Sequence, residues 1–247
     1  MFVDVHCHLD DEKFNDLDSV INNAKANGVK AIISNGINHK SNLRTLEIAE
    51  KHPIVNPALG LYPLEALKLT DSEIQEELEF IAGYKKKIIA IGEVGIDYYY
   101  SNEKERQKKI FMDIIELSEK LKLPLIIHSR KAEQDVVDLL KSSNVKKAVM
   151  HSFTGKLKIA KEIIDHNWSF SIPLIIKKAP NFKRLVEISP ISNLLTETDS
   201  PYLGISEKIN EPSNVVDVVN EIALIKKLNT DETRNLIFMN FQRIFSK

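Results

Sequence analysis

His6 and His8 stand two residues apart in the opening stretch FVDVHCHLD, with Asp4 two residues earlier. Successive side chains of a strand alternate faces, so Asp4, His6 and His8 share one side and two imidazoles can chelate one ion. Val5 and Cys7 then point into the wall between strand and helix, which makes Cys7 a buried structural cysteine rather than a thiolate. An H-x-H pair alone is a weak signal, more often structural than ligating. Here, however, Glu93, His128, His151 and Asp199 each close another short apolar run. The other histidines, His39, His52 and His166, fall in or beside predicted helices and are read as structural. Four imidazoles and two carboxylates exceed the three or four protein ligands of one catalytic zinc, so the arithmetic favours two divalent ions sharing a carboxylate. Such a donor set accepts zinc, manganese, nickel or cobalt and, less comfortably, magnesium.

Eight apolar runs position these groups: residues 2–6, 31–34, 54–59, 88–93, 125–128, 148–151, 169–172 and 194–199. Longer stretches of helical spacing separate them, the pattern of repeated βα units around a parallel sheet. Residues 103–122 read as a helix with Ile110, Phe111, Ile114, Ile115, Leu117 and Leu121 on one face, and two further helices cover 213–228 and 231–245. Asp71-Ser72 and Asp231 read as helix starts. Trp168 and Phe170 read as packing residues. The predicted fold is an α/β, single-domain (β/α)8 TIM-type barrel over residues 1–247, with the metal site at the C-terminal ends of the strands. A doubly wound open sheet would want a Gly-rich phosphate loop after an early strand, where this chain has His6-Cys7-His8.

The chain has 247 residues, 34 Lys+Arg against 35 Asp+Glu, and 43% hydrophobic residues. These values exclude a disordered or fibrous chain, and a net charge of -1 excludes a broad basic footprint for nucleic acid or anionic membranes. One cysteine forms no internal disulfide, no apolar run approaches membrane-spanning length, and the start carries no signal-peptide pattern; the expectation is a cytoplasmic enzyme without membrane contact or an evident obligate protein partner.

Five ordered blocks, DVHCHLD, IGEVGIDYYY, IIHSRKA, MHSFTG and ETDSPYL, with a partial match at Asn210-Glu211-Pro212, resemble TatD-type metal-dependent hydrolases along nearly the whole chain. The resemblance implies an amidohydrolase-related barrel with His6, His8 and Asp199 on one ion, His128 and His151 on the other, and Glu93 bridging. It also implies a deoxyribonuclease, often one digesting single-stranded DNA from the 3′ end. Two departures stand out. The family usually reads G-x-H-P after the third strand, whereas this chain has Gly60-Leu61-Tyr62-Pro63; the family often places arginine before N-E-P, where this chain has Ile209 after Lys208. A phenol donates a hydrogen bond without a charge, and lysine lacks the bidentate grip of arginine.

For the mechanism, Asp199 is the candidate general base and Glu93 sets the ion spacing. Asp97 is read as capping the next helix or orienting a ligand. Tyr62, Tyr98, Arg130, Lys156 and Asn210 are the candidate substrate contacts, with Tyr99, Tyr100, Lys177 and Lys178 also near strand ends. Low net charge favours a threaded single-stranded DNA end over a long duplex. Two other readings stand beside this one. Metal-dependent hydrolysis of an amide, lactone or ester, including an aminoacyl-tRNA ester, uses the same chemistry, and a catalytically idle metal-stabilised binding protein keeps the fold alone.

Overall fold

The computed structural model describes residues 1–246. Eight strands form one parallel sheet in sequential order: β1 (Phe2–Cys7), β2 (Val29–Asn35), β3 (Val55–Leu59), β4 (Ala90–Asp97), β5 (Leu125–Arg130), β6 (Ala148–His151), β7 (Ser169–Ile172) and β8 (Leu194–Thr196). Seven adjacent pairs are parallel ladders. The seam between β8 and β1 is tied by Thr196 Oγ1 donating to Val3 O at 2.6 Å, and beyond the strand by Asp199 N to His6 O at 2.9 Å and His8 N to Ser200 O at 2.8 Å. The expected barrel is the observed one.

Helices wrap the outside: α1 (Leu17–Ala26), α2 (His39–Lys51), α3 (Pro63–Ala66), α4 (Asp71–Gly83), α5 (Lys104–Leu121), α6 (Glu133–Lys141), α7 (Leu157–Asp165), α8 (Pro180–Ile188), α9 (Val215–Lys226) and α10 (Thr230–Phe245). Strands covered on both faces bury nearly every side chain, which explains their continuous Val/Ile runs. Helix α5 buries the predicted stripe of Ile110, Phe111, Ile114, Ile115 and Leu121, and Trp168 and Phe170 lie in the core. No helix among the described residues is long and apolar enough to cross a membrane.

Element boundaries differ from expectation where side-chain chemistry decides them. Thr70, not Asp71, caps α4, in a reciprocal arrangement with Glu73; Asn229, not Asp231, caps α10 by accepting from Glu232 N at 2.7 Å. Strand β4 runs four residues past Glu93, with a register irregularity between Ile91 and Val94, so Glu93 sits inside the strand rather than at its end. Strand β8 stops at Thr196, so Asp199 lies beyond it, in a left-handed conformation with φ 55°.

Candidate metal centre

His6 ends the buried face of β1, and His8 follows one residue past the strand. Their Nε2 atoms face each other at 3.2 Å. Glu93 Oε2 lies 3.6 Å from His6 Nε2 and 3.5 Å from His8 Nε2; Asp199 Oδ1 lies 3.5 and 3.4 Å from the same two atoms. Donor atoms 3.2–3.6 Å apart can share one cation at about 2.0–2.2 Å, the bond length of zinc to nitrogen and oxygen. The donor set and its spacing therefore fit a divalent cation.

The second carboxylate oxygen of Glu93 faces another way: Oε1 is 3.0 Å from His128 Nδ1. His151 belongs to the same buried group, its ligand atom within 4.8 Å of those of His6 and Glu93. All six residues expected as ligands thus come together at one end of the barrel, with Glu93 between two sets of imidazoles.

Most far nitrogens of these histidines are held. His128 Nε2 meets Asp97 Oδ2 at 2.9 Å, His151 Nδ1 meets Glu197 Oε2 at 2.9 Å, and His8 Nδ1 meets the Asn35 carbonyl oxygen at 3.0 Å. Such partners fix ring orientation and raise the basicity of the facing nitrogen. His6 differs: Nδ1 is buried without a partner among the described residues, and its ring stacks on His151 at 3.6 Å.

Electrostatics follow this crowding. Burial and the neighbouring His151 push the His6 pKa well below its usual range. Burial also acts against charge on His8, but Asp199 and Glu93 outweigh it and raise His8 to about 9; Glu197 and Asp199 likewise outweigh burial at His151, raising it to about 10. Burial works against the Glu93 carboxylate, and His128 and His6 overcome it, holding that carboxyl below the ordinary carboxylate range.

A cavity of about 310 Å³ opens over the cluster, with Asp10, Asp11, Ile37, Tyr62 and Tyr202 around the metal-capable side chains and no lysine or arginine among its described lining residues. Tyr62 donates its hydroxyl proton to Asp97 Oδ2 at 3.1 Å, and its ring meets His128 edge-on at 5.1 Å. Burial and the Glu93 and Asp97 carboxylates raise the Tyr62 pKa, with the charge of Arg130 working against them.

The other expected substrate contacts disperse. Tyr98 gives its hydroxyl to Asp135 at 2.7 Å, and Lys156 lies in a separate groove beside Tyr98. Arg130, the last residue of β5, packs against Tyr99 and Tyr100 at the rim. Lys177 pairs with Asp217 at 3.0 Å, and Lys178 donates to the Ile205 carbonyl oxygen at 2.6 Å. Asn210, expected to meet substrate, is buried instead: Nδ2 donates to the carbonyl oxygens of Thr198 and Tyr202, and Oδ1 accepts from Glu211 N and Asn214 Nδ2. Its amide braces the loop that carries Asp199.

Cys7 is buried and donates to the Ile33 carbonyl oxygen at 3.4 Å, as its strand position predicts. His39 meets Glu77 at 2.7 Å, His52 meets Asp18 at 3.2 Å and His166 stacks on Trp168, so none joins the cluster. Sequence reasoning missed Glu197, although it precedes Asp199 by two residues, and the bracing role of Asp4. Asp4 accepts from Thr198 N at 3.0 Å and Thr198 Oγ1 at 2.6 Å, pinning the loop after β8 to β1.

The sequence matches the family described as TatD related DNase over residues 3–246. It is 35% identical over 254 residues to the uncharacterized metal-dependent hydrolase YabD of Bacillus subtilis, covering 99% of each chain. It is 31% identical over 259 residues to deoxyribonuclease TATDN3 of Homo sapiens, covering 99% of this chain and 94% of that one. Among solved structures, the TatD homologue YJJV of Escherichia coli superposes with a TM-score of 0.91 at 26% identity, covering 100% of this chain and 98% of that one. A family match along almost the entire barrel, with relatives of equal length on both sides of 30% identity, means that the chain belongs to the TatD family of metal-dependent hydrolases.

Proposed function

We propose that this hydrolase is a deoxyribonuclease, a 3′–5′ exonuclease on single-stranded DNA, working with two divalent ions. The observation that carries this reading is the split orientation of Glu93, one oxygen toward His6 and His8 and the other toward His128. Bound in that cluster, a pair of cations supplies Lewis acidity toward a phosphoryl oxygen and an acidified water as nucleophile. The protein's own groups do the rest. His6, His8 and Asp199 form one donor set, His128 and His151 the other, and Glu93 fixes their separation. Asp199 turns Oδ1 to the two imidazoles, which leaves Oδ2 to accept the proton of the attacking water. Asp97 and Glu197 keep His128 and His151 from rotating. Tyr62 donates to Asp97 and lines the cavity, where its hydroxyl can exchange that acceptor for a substrate oxygen. The name of the human relative supports a DNA substrate.

The test is degradation of end-labelled single-stranded DNA by protein stripped with chelator and refilled with magnesium, manganese or zinc, beside Asp199→Asn. Stepwise shortening from the 3′ end, abolished by the substitution and accompanied by two bound ions per chain, is the expected result. Intact DNA with every metal defeats the nuclease reading, and a single bound ion defeats the two-ion site.

One observation favours a second reading. The cavity lining offers carboxylates and a neutral phenol but, among its described residues, no lysine or arginine for a phosphate. A neutral carbonyl substrate, such as an ester, lactone or amide, suits that lining, and hydrolysis of such esters without DNA degradation would establish it.

A further inference from the structure

A polyanion that enters a cavity whose described lining holds no lysine or arginine must find side-chain cations at the rim, and the rim is not symmetric. On the α2 side, a groove shares Asp10, Asp11 and Ile37 with the central cavity and continues past Glu12, Lys40, Arg44 and Glu47. Its two cations are already paired, Arg44 with Glu47 at 2.9 Å and Lys40 with Glu12 at 3.6 Å. That groove carries more carboxylates than cations.

The β4–β5 side is built differently. Arg130 lies beside Asp97 in the strand register, and its backbone oxygen accepts from Tyr98 N at 2.9 Å. Its guanidinium carbon sits 4.1 Å from the centre of the Tyr99 ring and 4.9 Å from that of Tyr100. Among the described residues, no carboxylate lies within ion-pair distance of Arg130, and no hydrogen-bond acceptor takes its donors. The guanidinium is therefore held in place by aromatic faces while its fork of N–H groups stays uncommitted.

The backbone that carries the two rings is fixed, and the rings are open to solvent. Asp97 Oδ1 accepts from Tyr99 N at 2.8 Å and Tyr100 N at 3.1 Å, while its Oδ2 meets His128. The rings stand edge to face at 4.8 Å and remain 56% and 60% exposed with Arg130 against them. Large aromatic surface kept in water beside an unpaired arginine matches what an unstacked base and its phosphate require.

We propose that Tyr99, Tyr100 and Arg130 form a subsite for the nucleotide next to the one being cleaved, the rings stacking its unpaired base and the guanidinium gripping its phosphate. The subsite selects single strands, because a duplex presents no free base face at that position. It rests on the nuclease reading above. Asp97 ties the subsite to the metal centre, since one carboxylate holds both His128 and the backbone of Tyr99 and Tyr100.

The test compares steady-state cleavage of a single-stranded oligonucleotide with that of the same strand carrying an abasic residue next to the scissile nucleotide. In the wild-type protein the missing base lowers kcat/KM roughly tenfold. In the Tyr99→Ala/Tyr100→Ala protein, intact and abasic strands are cleaved equally, whereas Tyr99→Phe/Tyr100→Phe behaves as wild type because neither hydroxyl is used. Arg130→Ala raises KM more than it lowers kcat and flattens the slope of log(kcat/KM) against log salt by about 0.7. Arg130→Lys restores the slope but not KM, and Arg184→Ala, on the outer helix α8, changes neither. An abasic penalty that persists in the doubly substituted protein, or a salt slope unmoved by Arg130→Ala, overturns the subsite while leaving the nuclease intact. Failure of the wild-type protein to cut any strand removes the nuclease reading, and the subsite with it.

Discussion

Glu197 and Asp97 stand outside the six clustered donors, yet each holds the far nitrogen of a clustered histidine at 2.9 Å. Glu197 also accepts from Ser171 Oγ, which fixes the carboxylate in turn. Replacing Glu197 by Gln, or Asp97 by Asn, keeps the size of each side chain and removes its charge. Metal affinity should fall roughly 10- to 100-fold in each variant, measured by competition with a chromophoric chelator. Unchanged affinity would mean that the rings are oriented by packing alone. At this scale the gathering of six metal-capable side chains was legible, because an H-x-H pair at the end of an apolar run and four further donors at matching places leave few other readings. Glu197 was not, since a glutamate in a short strand-like run looks the same whether it braces a histidine or faces solvent.

Elements decide where those residues stand. Gly95 in β4 has φ 134°, and a Cβ there would lie 2.0 Å from the His128 carbonyl oxygen on β5. The close approach of the two strands is what brings Glu93 to His128. Gly95→Ala should therefore destabilise the fold by about 1–3 kcal/mol through backbone strain and should lower activity through His128; urea unfolding with an unchanged m-value checks the first part. The loop after β8 is braced in a comparable way by Asn210. Asn210→Ala strands the carbonyl oxygens of Thr198 and Tyr202 and should cost about 1–3 kcal/mol. Its kcat should fall more than its KM rises, because the loop carries Asp199 rather than substrate; a KM effect alone would restore Asn210 to the substrate contacts.

For the whole molecule, the cluster gathers residues from β1, β4, β5, β6 and the loop after β8, so a bound cation exists only in the closed barrel. Binding to the folded state alone stabilises it by RT ln(1 + [L]/Kd), about 2.7 kcal/mol at a hundredfold excess over Kd. For a chain of this length that raises Tm by roughly 5–10 °C. Scanning calorimetry of chelator-treated protein with and without added manganese or zinc should show this shift, and Glu93→Gln should reduce it. A Tm indifferent to metal would mean that the cluster binds no cation tightly. The near-neutral net charge supplies no broad attraction for a polyanion, so under the proposed function the binding of DNA falls to local groups such as Arg130.

The amino-acid sequence by itself determined the barrel and the six residues that gather in one cluster. Eight Val/Ile-rich runs separated by amphipathic stretches leave a closed parallel sheet as the economical way to bury both strand faces, and strand periodicity sorts His6 and His8 from Cys7 without any long-range information. The sequence could not determine distances across the barrel. That Asp199 lies past β8 with φ 55°, pinned by Asp4 through Thr198, depends on contacts between residues about 194 positions apart. The inward turn of Asn210, the splitting of Glu93 between two sets of imidazoles and the seating of Arg130 against Tyr99 and Tyr100 have the same origin. Local patterns fix which face a side chain takes, whereas its partners are chosen only when the chain closes on itself and every buried polar group must find a donor or acceptor.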